Sequence, residues 1–169
     1  MSLSNESNSA KSQNGSDLNT TVGTILSYCY ANNLIRGFEK EPRYPHPSTT
    51  YEQFSPDFTI HLNNGEIIVI DNTTTARHDR FKQKQWDANG IKAYFNSQGI
   101  SIKYYVVLPD DDVIGNINSR DKEIKNYYNE KYKIATPGYY SMIDDIIQLS
   151  DLIAIIQSTS TEYDIQDAN

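Results

Sequence analysis

Cysteine is nearly absent from this chain: Cys29 is the only one in 169 residues. No intrachain disulfide and no cysteine-built zinc cluster can form from it. Cys29 lies in an apolar stretch with helical spacing, where a free thiol behaves as a small buried hydrophobe. Long hydrophobic runs are missing as well. No stretch approaches the ~20 apolar residues of a membrane span, and the polar start has no signal-peptide pattern. A cytoplasmic protein with no membrane partner is therefore expected. Histidine is scarce, and His46, His61 and His78 lack the spacing of a zinc site. Positive charge is also in deficit: 15 Lys+Arg stand against 22 Asp+Glu, a formal net charge of −7. Nucleic-acid-binding domains are more often basic, so the overall charge argues against that class.

The distribution of charge changes this picture. Residues 21–156 carry 14 Lys+Arg and 17 Asp+Glu, a balance of only −3. Within them, residues 76–92 hold Arg77, Arg80, Lys82, Lys84 and Lys92 against Asp79 and Asp87, a local balance of +3. A local basic face is what phosphate binding requires. The tyrosine content is also unusual, with 13 Tyr to one Trp.

The length suits one domain with a real core. Residues 1–18, rich in Ser, Asn, Gln, Gly and Asp, cannot support one. A disordered tail is expected there and another over 158–169, leaving a folded domain over 19–157. Met1-Ser2-Leu3 has the look of a cloning remnant, which suggests an excised domain.

Within 19–157, residues 19–35 read as a helix with Val22, Ile25, Leu26 and Cys29 on its apolar face, capped by Thr20 or Thr21. Residues 39–50, with Pro42, Pro45 and Pro47, read as an irregular loop. Tyr51–Phe54 reads as a short strand. Asp57–Leu62 and Glu66–Thr73 read as two strands, 76–96 as a helix ended by Gly99, and Ile102–Leu108 as an apolar strand closed by Pro109. Residues 120–132 suit a polar helix, and Ser141–Gln157 a last helix with a thick isoleucine-rich face. Helix, strands, helix, strand, helix is the order of an α/β sandwich around a mixed sheet.

Asn63-Asn64-Gly65 between two apolar runs is a hairpin signal. A two-residue turn would pair Asn63 with Glu66. A three-residue loop, with Gly65 in the left-handed conformation, would pair Leu62 with Glu66, Ile60 with Ile68 and Phe58 with Ile70. The second register is preferred, because it collects Phe58, Ile60, Leu62, Ile68 and Ile70 on one face. It also sets Asp57 opposite Asp71. Opposed carboxylates repel in a sheet, and a divalent cation between them removes the repulsion. Two solvated strand-end aspartates would read the same way in the sequence.

In the following helix, stepping about 100° per residue places Ala88, Ile91 and Phe95 on the buried side. Lys84 and Arg77 fall within that stripe, Gln85 and Lys92 on its edge, and Lys82 and Trp86 outside it. A lysine in a buried stripe needs an anionic partner, and the Asp57–Asp71 pair would be one. A side chain snorkelling along the helix edge to water is the alternative.

Pro56-Asp57, then Asp71-Asn72-Thr73 ending the next strand, then a basic helix, together resemble the PD-(D/E)XK nuclease family, type II restriction endonucleases in particular. The resemblance implies a restriction-endonuclease-like sandwich, a central mixed sheet flanked by helices. It implies Mg²⁺ held by Asp57 and Asp71, with the Asn72 carbonyl as a third ligand, and hydrolysis of duplex DNA. The partners it implies are double-stranded DNA and either a second copy of the chain or the rest of a larger restriction enzyme. The family places a lysine two residues after the second acid, where this chain has Thr73. Some members supply it from the next helix, which nominates Lys84 as the third catalytic residue. Thr73 and Gln85 would be supporting residues, and Arg77, Arg80 and Lys82 would hold DNA phosphates. A nuclease-like module that has lost catalysis is the competing expectation.

Asp110-Asp111-Asp112 has some calcium-loop character, but Ile114 and Asp121 stand where such a loop needs an oxygen ligand and a glutamate. A solvated loop is expected instead. The tyrosines of 127–140 suit a core edge better than a base-stacking surface.

Overall fold

The computed structural model describes residues 18–47, 53–74, 78–110 and 142–168. Helix α1 spans residues 18–31. Asn33, at φ 61°, turns the chain out of it. The Asn33 N–H reaches the Tyr30 carbonyl (3.2 Å) and the Leu34 N–H reaches that of Cys29 (2.8 Å). This paired closure satisfies two carbonyls left over at the helix end and suits asparagine in the left-handed position. The helix starts earlier than the threonine cap expected for it, so Thr20 and Thr21 lie inside its first turns.

The chain then enters β1 (Ile35–Lys40), which the sequence did not announce. Only Ile35 and Phe38 are large and apolar there, and an edge strand needs no more. Two short strands follow, β2 (Tyr44–Pro45) and β3 (Gln53–Phe54), paired with each other. The proline-rich stretch is thus partly a ribbon. Strands β4 (Phe58–Leu62) and β5 (Ile67–Asn72) form the hairpin. Helix α2 (His78–Ser97) crosses over to β6 (Lys103–Leu108), and β7 (Asp145–Gln148) leads into α3 (Leu149–Ala168).

The hairpin register is the one with the three-residue loop. Phe58 pairs with Ile70 and Ile60 with Ile68, the Leu62 N–H meets the Glu66 carbonyl at 2.9 Å, and Gly65 sits at φ 91°. The five-stranded sheet has the order β1-β4-β5-β6-β7. The β1–β4 and β4–β5 pairs are antiparallel, while the β5–β6 and β6–β7 pairs are parallel. The fold is α/β with a mixed sheet, as expected.

Strand alternation divides the core in two. Phe58, Ile60, Leu62, Ile68 and Ile70 pack with Val22, Leu26 and Cys29 of α1 and with Leu152 and Ile156 of α3. On the opposite face, Val69, Tyr104 and Val106 pack with Ala88, Ile91 and Phe95 of α2 and with Tyr44 and Phe54 of the ribbon. Burial pushes the Cys29 thiol pKa up, as fits a structural thiol. The ribbon approaches α2 where Gly90 leaves room: a Cβ there would lie 2.2 Å from the Phe54 ring.

The C-terminal region differs from expectation in two ways. Residues 145–148, taken for helix, form β7 along β6. Ile146 and Ile147 fit an apolar helix face equally well, and only the open edge of β6 selects the strand. Helix α3 then starts at Leu149 and continues through 158–168, where composition suggested a tail. Ser160 is buried in it, and its Oγ meets the Asn63 amide at 3.5 Å. Asp110 Oδ1 accepts from the Ser150 N–H (3.0 Å) and hydroxyl (2.8 Å) at the start of α3. Asp110 therefore works as a helix-end acceptor, while the rest of the acidic stretch, the helix expected over 120–132 and the tyrosines of 127–140 lie outside the described residues. So do residues 1–17. No helix among the described residues is long and apolar enough to cross a membrane.

Candidate active site

The hairpin register sets Asp57, one residue before β4, beside Asp71 near the end of β5. The contact is reciprocal. The Asp57 N–H donates to Asp71 Oδ1 at 3.1 Å, and the Asn72 N–H donates to Asp57 Oδ2 at 2.7 Å. Each carboxylate thus receives a backbone donor from the facing strand, which offsets the repulsion between them.

Asp71 shares the α2 face of the sheet with Val69, and it is 4% exposed. Lys84 reaches it from α2: Lys84 Nζ lies 3.6 Å from Asp71 Oδ1, with 21% of the lysine side chain exposed. The helical phase therefore delivers this lysine inward. Trp86, expected on the outer side, is exposed.

Two contacts to this site, and one further charge, come from residues the sequence did not single out. Tyr104, on β6, donates its hydroxyl to Asp71 Oδ2. Nothing in an apolar strand marks one tyrosine as a partner for a carboxylate two strand positions away. Asn19 Oδ1, in the first turn of α1, accepts from Asn72 Nδ2 at 2.8 Å. Asp87, one helical turn past Lys84, adds a third carboxylate and accepts from Gln83 Nε2 at 3.1 Å.

The electrostatics follow from burial. Desolvation raises the pKa of Asp57, against the lowering effects of the Asn72 N–H and Lys84. Desolvation lifts Asp71 to about 6, with Lys84 lowering it and Asp57 raising it. Asp87 is raised by desolvation and held back by Gln83 and Lys84. The Tyr104 phenol is pushed well above its usual value by burial and by Asp71, so it stays a donor. With Asp57, Asp71 and Asp87 ionised, the cluster is two negative charges in excess among the described residues, Lys84 being the cation there.

Asn72 adds a further feature. Its side-chain Oδ1 is buried and has no hydrogen-bond partner among the described residues. A buried carbonyl-type oxygen without a donor costs free energy unless something else meets it. This amide belongs to the α1 side of the sheet, where its Nδ2 meets Asn19, so the hard ligands of the kind Mg²⁺ takes while keeping several waters are the two carboxylates. No group of three or more His, Cys, Asp or Glu side chains suited to a metal occurs among the described residues. Two carboxylates, with the rest of the shell left to water, are a donor set that Mg²⁺ accepts.

The other expected site residues are placed as follows. Thr73 is 4% exposed, and its N–H extends the sheet to the Val107 carbonyl at 2.9 Å. Gln85 is buried, and its Oε1 receives the Met142 N–H (3.0 Å) and Ile143 N–H (3.4 Å) ahead of β7. His61 lies 3.7 Å from Glu39 across the β1–β4 pair. Arg77 and the side chains of Arg80 and Lys82 lie outside the described residues.

No family model matches this chain, and no curated protein or solved structure matches it either.

Proposed function

We propose that this chain is an Mg²⁺-dependent endodeoxyribonuclease that hydrolyses phosphodiester bonds of duplex DNA, a restriction endonuclease or the catalytic domain of one. The observation that carries this reading is the meeting of Asp57, Asp71 and Lys84 at the end of the hairpin, with Lys84 Nζ 3.6 Å from Asp71 Oδ1. A mixed sheet with helices on both faces also suits a restriction-endonuclease-like sandwich. A cytoplasmic setting goes with that role.

Asp57 and Asp71 would hold the cation, with the Asn72 carbonyl as a third ligand. Bound Mg²⁺ supplies phosphate polarisation and a water of lowered pKa. Lys84 replaces the lysine absent at Thr73. Its ammonium would orient the attacking water and offset charge developing on the phosphate. Arg77, Arg80 and Lys82, at and before the start of α2, would grip backbone phosphates, which positions DNA without reading its sequence. A homodimer, or assembly into a larger enzyme, would bring a second site to the other strand.

The test is cleavage of supercoiled plasmid in Mg²⁺, comparing wild type with Asp71→Ala, and with EDTA as a control. Cleavage by wild type alone, abolished by EDTA, is expected. A folded wild type that never cuts, in Mg²⁺ or Mn²⁺, overturns the reading. A second reading is a nuclease-like DNA-binding or subunit-interaction module without catalysis. The buried Thr73 at the usual lysine position and the net charge of −7 favour it. DNA binding indifferent to Mg²⁺, with no cleavage, is its signature.

A further inference from the structure

Tyr104 is held from both ends. Its ring is fully buried between the sheet and α2. Its backbone is clamped by Asp144: the Tyr104 N–H donates to Asp144 Oδ2 (2.7 Å), and the Asp144 N–H donates to the Tyr104 carbonyl (2.9 Å). The same Asp144 oxygen is fixed by Lys92 Nζ at 2.8 Å, from the second half of α2. At the other end the Tyr104 hydroxyl donates to Asp71 Oδ2. A continuous line of contacts thus runs from Lys92 through Asp144 and Tyr104 to Asp71.

Register explains the reach. Tyr104 is the parallel neighbour of Val69, and Asp71 of Val106. Tyr104 and Asp71 therefore share a face as diagonal neighbours, and a tyrosine is long enough to span the diagonal. With the tyrosine hydroxyl on Oδ2 and the Asp57 N–H on Oδ1, both Asp71 oxygens are held. Lys84 Nζ also stands 3.6 Å from Oδ1, so the carboxylate is fixed by three groups and cannot rotate freely.

We propose that Lys92, Asp144 and Tyr104 form a positioning chain that locks the Asp71 carboxylate in one orientation for a small divalent cation. This rests on the Mg²⁺ site proposed above. The physical consequence is selectivity. Mg²⁺ demands near-octahedral geometry at short distances, whereas Ca²⁺ accepts irregular shells. A locked carboxylate favours Mg²⁺, and a loosened one loses Mg²⁺ affinity faster than Ca²⁺ affinity. Outer-shell partners of metal ligands typically govern about 10–100-fold in affinity.

The experiment is calorimetric titration of the full chain with Mg²⁺ and, separately, Ca²⁺, in wild type, Tyr104→Phe and Lys92→Met, with Asp71→Asn as the ligand-deficient control. Circular dichroism checks the fold. Tyr104→Phe keeps the buried ring, so only the hydroxyl is removed. The expected result is about a tenfold loss of Mg²⁺ affinity in Tyr104→Phe, with a smaller loss for Ca²⁺. Lys92→Met, which leaves every residue of the metal site in place, is expected to shift the Mg²⁺ to Ca²⁺ ratio the same way by less, and it carries the test if Tyr104→Phe fails to fold. A purely structural role would lower melting temperature and leave that ratio unchanged, which overturns the proposal. Wild type that binds neither cation overturns the metal site itself. Wild type that binds while both variants bind equally well overturns the positioning chain alone.

Discussion

Lys84 and Asp71 are neighbours in space although they belong to different elements: Nζ of one lies 3.6 Å from Oδ1 of the other, and both are largely buried. A buried carboxylate loses several kcal/mol of solvation, and a single ammonium restores part of it. Desolvation raises the pKa values of Asp57 and Asp87 as well, and the same ammonium opposes that rise. Among the described residues one cation is thus shared by three carboxylates, a poor arrangement for stability alone. It suits a site whose charge is completed by a ligand.

Lys84→Ala is expected to abolish plasmid cleavage while leaving secondary structure and DNA binding intact. Its removal leaves the Asp71 carboxylate buried without its ion-pair partner, so a lower melting temperature accompanies the loss. A gel assay read beside circular dichroism separates the two effects. Retained cleavage would remove Lys84 from the reaction and shift attention to Lys82.

Stability should depend on pH in a direction set by Asp71. Its folded pKa, about 6, is above its ordinary value of 3.8. The folded protein thus binds more protons than the unfolded chain between those values, and stability falls as pH rises through that window. In the absence of metal, urea unfolding should show a more stable protein at pH 4.5 than at pH 7. Asp71→Asn should flatten this slope. Mg²⁺ should stabilise wild type more at pH 7, where the carboxylate is ionised, than at pH 5. A slope unchanged in Asp71→Asn would assign it to other groups.

Gly90→Ala should destabilise the fold despite the better helix propensity of alanine. Propensity favours the change by about 1 kcal/mol. The new Cβ would stand 2.2 Å from a buried phenylalanine ring, and overpacking typically costs about 1–3 kcal/mol. Trimming the ring in Gly90→Ala/Phe54→Leu should recover part of the loss. Denaturant midpoints of the two proteins decide this. A stabilised Gly90→Ala would mean that the ribbon of β2 and β3 yields freely.

Removing residues 158–169 should lower the melting temperature by several degrees. The deletion takes away buried Ser160 and its contact with Asn63, whose amide also donates to the Asn33 carbonyl at 2.9 Å. An unchanged melting temperature would show that α3 ends its packing before Ser158.

The parts of this protein set by local rules were legible in its sequence. Asn64-Gly65 and the alternation of Phe58, Ile60, Ile68 and Ile70 determined the hairpin register, because a slip of one residue would turn the core stripe to the other face. That register alone brought Asp57 to Asp71. The 3.6-residue period of α2 was enough to turn Lys84 inward and Trp86 outward.

Tertiary structure decided what depends on neighbours distant in the chain. β1 has a weak apolar pattern and exists because β4 offers it an edge. Residues 145–148 suit helix or strand, and β6 chose strand. Tyr104 carries no local sign of its role, since its partner becomes visible only when β5 and β6 lie side by side. The sequence by itself determined which carboxylates face each other, because a turn and a two-residue period act within one hairpin. Only the assembled sheet and helices decided what else holds those carboxylates, because Tyr104 and Asn19 reach them across gaps in sequence that no local pattern encodes.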